Sequence, residues 1–175
     1  MKQEIILRET QITDAQRFFE MISSPAFLYF GWEMKTVEEA QEYLLKQAER
    51  NLMWKKTEDM FSIIVEEEVV GAVWVIRMAH RYHVGEIGYF VDEKYWKKGI
   101  ATKAVLLLEK KAFEELGFQR LTIILKPINV PSEKVAMKAW YQKEWLLKSE
   151  IRNPDGSLHD GCIYAKLKTE FLKKV

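Results

Sequence analysis

Apolar and polar positions follow two periods along this chain, and the switches between them mark out its elements. The apolar run Ile5-Ile6-Leu7 makes Glu4 to Arg8 a first strand. Thr13-Asp14-Ala15-Gln16 has the form of a capping box, whose hydroxyl and amide satisfy orphan donors at a helix start, and predicts a helix to about Ser23. A second box, Thr36-Val37-Glu38-Glu39, opens a longer helix to about Met53, with Val37, Ala40, Leu44, Leu45 and Ala48 at helical spacing. Strand patterns follow at Phe61 to Val65 and Val69 to Met78, joined by a hairpin loop at Glu66-Glu67-Glu68, and at Val84 to Val91. Ala101 to Leu116 is rich in Ala, Leu, Glu and Lys and ends at Gly117, a helix with its C′ glycine. Leu121 to Leu125 reads as a buried strand, and Pro131 suits the first turn of a short helix from about Ser132 to Ala139. Leu146 to Ile151 and Cys162 to Leu167, around Asn153-Pro154-Asp155-Gly156, read as a closing hairpin.

The predicted order is β-αα-βββ-α-β-α-ββ. It implies an α/β (α+β) fold with a mixed central sheet of about six to seven strands and helices on both faces. No repeat or linker interrupts it, so residues 1–175 read as one domain, a length that suits a single core. Hydrophobic residues at 48% and charged residues at 30% are ordinary for a globular protein.

Formal net charge is +1, from 27 basic and 26 acidic residues, so no overall field exists to grip nucleic acid or anionic lipid. Any anion site must be local, and no acidic run marks a polycation site. The single cysteine, Cys162, forms no internal disulfide and reads as a small core residue. The charged start is no signal peptide, and no apolar run is long enough to cross a membrane, so a cytoplasmic protein is expected. A homodimer is compatible with the sequence. His80 and His83 would face opposite sides of a strand, so no metal site is expected there.

The most informative segment is Tyr95-Trp96-Lys97-Lys98-Gly99-Ile100-Ala101-Thr102, between a strand and a helix. Free N–H groups and the positive end of the dipole at a helix start bind phosphate. Gly99 and Ala101 allow close backbone approach, and Lys97 and Lys98 add positive charge. Taken alone, the turn is matched equally well by a plain glycine-bearing loop with solvated lysines. Neither GxxxxGK[ST] nor a GxGxxG after a strand is present.

In this element order, W-x-x-G-x-A after a strand resembles the pyrophosphate loop of the GNAT superfamily of N-acetyltransferases, usually written Q/R-x-x-G-x-G/A. Tyr95-Trp96 resembles the branch that acetylates ribosomal-protein N-termini, although Lys97 replaces that branch's usual glycine. The similarity extends from Leu7-Arg8 and Asp14 through Gly71 and Gly85-Glu86-Ile87-Gly88-Tyr89 to Asn129-Val130-Pro131-Ser132.

The resemblance implies transfer of an acetyl group from acetyl-CoA to a primary amine, a protein N-terminus or a small amine, by direct attack and without metal. It also implies that two strands splay apart, with the pantetheine arm bonding to backbone groups of Tyr89, Phe90 and Val91. The pyrophosphate would lie at Trp96, Lys97, Lys98, Gly99, Ile100, Ala101 and Thr102, and Asn129 would contact the CoA arm. Ser132 matches a serine near the thiol, while its position equally suits a helix N-cap.

Glu86 is the candidate general base: on a strand it shares a face with Gly88 and Phe90 and would point into the region the glycine leaves open. The alternative is an exposed strand glutamate. The tyrosine that serves many members as general acid is matched by Ala136, which leaves the thiolate to water or to Ser132. Phe27, Tyr29, Phe30 and Trp32 fall where the family builds a wall of the acceptor site, and a simple cap on the core would use them equally well. Trp140 and Trp145 stand where two glycines are usual, so the helix is expected to continue, or the last strands to shift, with both indoles filling a pocket. They favour one rival reading, a non-catalytic acyl-CoA-binding module.

Overall fold

The computed structural model describes residues 4–27, 34–53, 56–153 and 155–173. Its elements in chain order are β1 (Ile6–Glu9), α1 (Ala15–Ile22), α2 (Val37–Met53), β2 (Glu58–Val65), β3 (Glu68–Met78), β4 (Arg81–Val91), α3 (Ile100–Glu114), β5 (Arg120–Leu125), α4 (Val130–Lys138), β6 (Gln142–Arg152), β7 (Leu158–Leu167) and α5 (Lys168–Leu172). This is the predicted order with a short helix added at the end. Among the described residues, seven strands form one sheet in the order β1-β2-β3-β4-β5-β7-β6. The β4–β5 pair is parallel and the other five are antiparallel. Helix α3 makes the crossover that a parallel pair requires.

Strand alternation sorts side chains to two faces. Ile63, Val73, Val75, Ile87 and Leu121 pack with Leu108, Ala112 and Phe113 of α3 in the larger core. The opposite face carries Met60, Ala72, Trp74 and Phe90 against Phe18 and Met21 of α1 and Ala40 and Leu44 of α2. Through the larger core runs a buried ion pair, Lys166 Nζ on Glu109 at 2.5 Å, and the same ammonium donates to Ala139 O at 3.1 Å. It ties β7 to α3 and to the end of α4, and removing one partner would strand a buried charge.

The start of α1 departs from the predicted capping box. Thr13 does not cap; a 3-10 turn over Ile12–Asp14 comes first, and the Gln11 N–H donates to Asp14 Oδ2 at 2.9 Å. The Asp14 carboxylate also accepts from Arg8 and from Ser62, at 2.7 Å each, which joins β1, β2 and α1. Burial pushes Asp14 up, but the bonds from Arg8, the Gln11 N–H and Ser62 outweigh it and hold the group below its ordinary 3.8. At α2 the Thr36 hydroxyl accepts from the Glu39 N–H at 3.2 Å, and the Glu39 carboxylate reaches back to the Lys35 N–H at 2.7 Å.

The two tryptophans overturn the expectation placed on them. Helix α4 stops where the family's glycine would stop it: Trp140 has φ +67°, its N–H donates to Met137 O at 3.0 Å, and Tyr141 N–H donates to Ala136 O at 3.0 Å. This is a Schellman end with tryptophan in the left-handed position. Neither indole fills a pocket, since Trp140 is 63% exposed and Trp145 72%. Left-handed backbone costs an L-residue about 1–2 kcal/mol, and the extra entropy that glycine loses on folding offsets roughly 0.5–1 kcal/mol of that. Trp140→Gly is therefore expected to raise the melting temperature by a degree or more, read by differential scanning calorimetry. A lower melting temperature would show that the indole's surface contacts outweigh the strain.

Candidate functional site

The site begins where two strands part. Three register pairs join β4 to β5: Val84 with Arg120, Gly85 with Leu121 and Glu86 with Thr122. Beyond them β4 stays on β3 as far as Val91 with Gly71, and β5 stays on β7 as far as Leu125 with Cys162. Glu86 thus stands at the fork. Asp92 N–H donates to Val70 O on the β3 side, whereas His83 O accepts from Gln119 N–H on the β5 side. By alternation, the backbone N–H and C=O of Tyr89 and the N–H of Val91 line the open side of β4.

The strand-to-helix turn closes one end of this opening. Lys97 and Gly99 are left-handed, at φ +62° and +78°, and Gly99 is the N-cap of α3. The helical ladder opens with Lys103 N–H on Gly99 O at 3.0 Å, so the N–H groups of Ile100, Ala101 and Thr102 precede it. A Cβ built on Gly99 would meet nothing within 4 Å. The space beside Gly99 is open, next to donors without a partner among the described residues. Lys98 Nζ lies 4.8 Å from the centre of the Tyr95 ring. The Trp96 indole N–H donates to Val91 O at 2.6 Å, and its ring sits 6.0 Å from that of Phe27. Trp96 is thus a brace between the turn and the end of β4. Phe27 also meets Phe90 edge-on at 6.1 Å. Tyr29, Phe30 and Trp32 lie outside the described residues.

Across the opening stands the start of α4. The cap there is Asn129, whose Oδ1 accepts from Ser132 N–H at 3.2 Å; Ser132 is three residues inside the helix and is not the cap. Its hydroxyl instead lies 2.6 Å from the Tyr89 hydroxyl. Burial pushes Tyr89 up to about 12, against a downward pull from Ser132. The sequence marked Tyr89 for its backbone alone. Its side chain was not legible, because the partner is 43 residues away and reaches it only through the β5–α4 connection.

On the other face, Glu86 is half-buried. The region above Gly88 is not open, contrary to the expectation: a Cβ there would fall 2.3 Å from the Trp74 indole, which fills the space. Burial raises the Glu86 pKa above its ordinary 4.5, and the neighbouring Glu150 charge raises it further. Among the described residues no hydrogen bond or ion pair reaches this carboxylate.

Residues 4–141 match the acetyltransferase (GNAT) domain. The chain belongs to the GNAT acetyltransferase family. It is 28% identical over 171 residues to the uncharacterized N-acetyltransferase p20 of Bacillus licheniformis, covering 97% of this chain and 96% of that one. A GNAT-family acetyltransferase structure from Bacillus anthracis superposes with a TM-score of 0.81 at 25% identity, covering 97% and 98% of the two chains. Mycobacterium smegmatis RimJ, solved in complex with CoA-disulfide, gives 0.80 at 23% identity, covering 95% and 83%. This GNAT protein is an acetyl-CoA-dependent N-acetyltransferase, which displaces the non-catalytic rival.

The residues present fit that co-substrate. Three N–H groups ahead of the α3 ladder, a turn that a Cβ would fill and an unpaired strand edge offer an anion seat and amide partners. Among the described residues no helix is long and apolar enough to cross a membrane.

The raised Glu86 pKa fixes a pH dependence of stability. The folded state holds this proton more tightly than the unfolded chain, so the group's contribution is fully present below pH 4.5 and is lost as pH rises through the folded value. Glu86→Gln is expected to melt with wild type near pH 4 and above it near pH 7.5. Equal melting temperatures at both pH values would show that the carboxylate is no more strained than a solvated one.

Proposed function

We propose that this enzyme acetylates a primary amine by direct attack, with Glu86 as general base and the Tyr89–Ser132 pair serving the leaving group. The observation that carries the reading is the placement of Glu86 at the last β4–β5 pair. It is half-buried there, has no cation partner among the described residues, and its pKa is raised. A carboxylate so placed takes a proton near neutral pH better than a solvated one does.

Bound acetyl-CoA supplies a thioester, whose carbonyl carbon gains the amine nitrogen as its bond to sulfur breaks. Glu86 takes the proton that the nitrogen must lose. The Ser132 hydroxyl, held by Tyr89, returns a proton to the sulfur side and is refilled through Tyr89 or water. The N–H groups of Ile100, Ala101 and Thr102, with Lys97 and Lys98, hold the pyrophosphate, and Gly99 lets it approach the backbone. Asn129 keeps its amide NH₂ for the CoA arm, because its Oδ1 is committed to Ser132. Phe27, with Trp96 behind it, contributes to the acceptor wall. A cytoplasmic location accords with this role.

Two substitutions test the reading. Gly99→Val places a branched side chain in the space the phosphate needs and is expected to abolish acetyl-CoA binding in a calorimetric titration. A dissociation constant equal to wild type would remove the turn from the cofactor site. Glu86→Gln is expected to lower kcat on a fixed amine by about 10²-fold. Because the base works deprotonated, wild-type activity should fall as pH drops through the raised Glu86 pKa, and the variant should lose that limb. Full activity with an unchanged pH profile would exclude Glu86 as the base.

A further inference from the structure

Register brings a second carboxylate into line with Glu86. Glu58 on β2 pairs with Ile76 on β3, and Ile76 pairs with Glu86 on β4. Directly opposed residues share a sheet face, so these three side chains form one row on the α1–α2 side, with the carboxylates two strand spacings, about 10 Å, apart. The neighbouring row of Met60, Trp74 and Gly88 is closed by the indole. Ile76, between the two acids, is 39% exposed and so leaves the ground between them open.

Glu58 itself is only 6% exposed. The Tyr43 hydroxyl hydrogen-bonds to its carboxylate, yet Oε1 is buried with no partner among the described residues. Beside it, Asn51 donates its amide N–H to Glu58 O at 2.9 Å, and Asn51 Oδ1 is also buried with no partner among the described residues. With the carboxyl ionised both orphans are acceptors, so the group that would satisfy them is a donor, and a cationic one would favour the ionised form. Burial holds the Glu58 pKa above its ordinary 4.5; Arg50 pulls it down without forming an ion pair among the described residues, and Asp59 opposes Arg50's effect. On the other side of Glu86, Glu150 adds a third negative charge.

We propose that Glu58 and Asn51 form a second ammonium-binding subsite, and that the acceptor is a diamine whose reactive nitrogen lies at Glu86. This rests on the reading of Glu86 as the base. A protonated primary amine carries three donors, enough for both orphan oxygens, whereas a monoamine held at Glu86 leaves them unmet. A diamine with about four to six carbons between its nitrogens spans two strand spacings, allowing a hydrogen bond at each end.

The test compares butylamine with 1,4-diaminobutane and 1,6-diaminohexane in initial-rate kinetics, and in calorimetric titrations of the CoA-saturated protein. In wild type the better diamine is expected to bind, and to show a KM, at least about tenfold more favourably than butylamine, the worth of one charged hydrogen bond. Glu58→Gln should bring that ratio to near one. Asn51→Leu, which leaves the charge in place, should reduce it part-way and keeps the test alive should Glu58→Gln fail to fold. Equal affinity of mono- and diamines for wild type, or a ratio that survives both substitutions, would overturn the subsite and leave a buried water as the donor. Failure of the base assignment reads differently: Glu86→Gln would then retain kcat on every amine while the ratio still collapsed in Glu58→Gln.

Discussion

The opening at the centre of the sheet follows from the short pairing between β4 and β5. A parallel pair is held by evenly spaced backbone bonds, and here it stops after three register pairs while each strand keeps its other neighbour. Each strand then has a satisfied side and an unsatisfied one. Backbone donors left unmet cost free energy wherever water is excluded, so the wedge must be filled by side chains, by water or by a ligand with amide groups. The Trp96 indole on Val91 O fills one end of it.

The elements around the fork divide the work between the two sheet faces. The α3 face holds the left-handed turn at Gly99 and the Tyr89–Ser132 pair; the α1–α2 face holds Glu86. The fork is therefore bordered by a carboxylate on one side and a hydroxyl pair on the other. Rigid support comes from the buried Lys166–Glu109 pair, which anchors the end of the helix that begins with Asn129 and Ser132. Such a pair contributes little net stability, but it fixes one arrangement of three elements.

Strain in this molecule is not confined to the site. Lys97 and Gly99 are left-handed in the strand-to-helix turn, and a glycine takes the larger of the two angles. Glu66 and Glu67 are also left-handed in the β2–β3 hairpin, at φ +51° and +69°, where the twist of the strands favours such a turn. Trp140 is the costliest case, because a large side chain adopts a glycine's conformation and then lies mostly in solvent.

Local signals in the sequence determined the element order and the strand-to-helix turn at Gly99, since each depends on contiguous residues: caps, periodicity, a glycine before a helix. The strand ends were read short, as at β6, where Gln142 to Trp145 pair with β7 although their pattern is polar. An exposed edge strand has no buried face to print alternation into its residues. Ser132 was equally a cap or a contact until Asn129 took the cap and left the hydroxyl to Tyr89. Only tertiary structure decided that Trp74 covers Gly88, that Glu86 stands at the fork, and that Glu58 lines up with it. These depend on the register between strands distant in sequence, and a shift of one residue would turn each side chain to the opposite face.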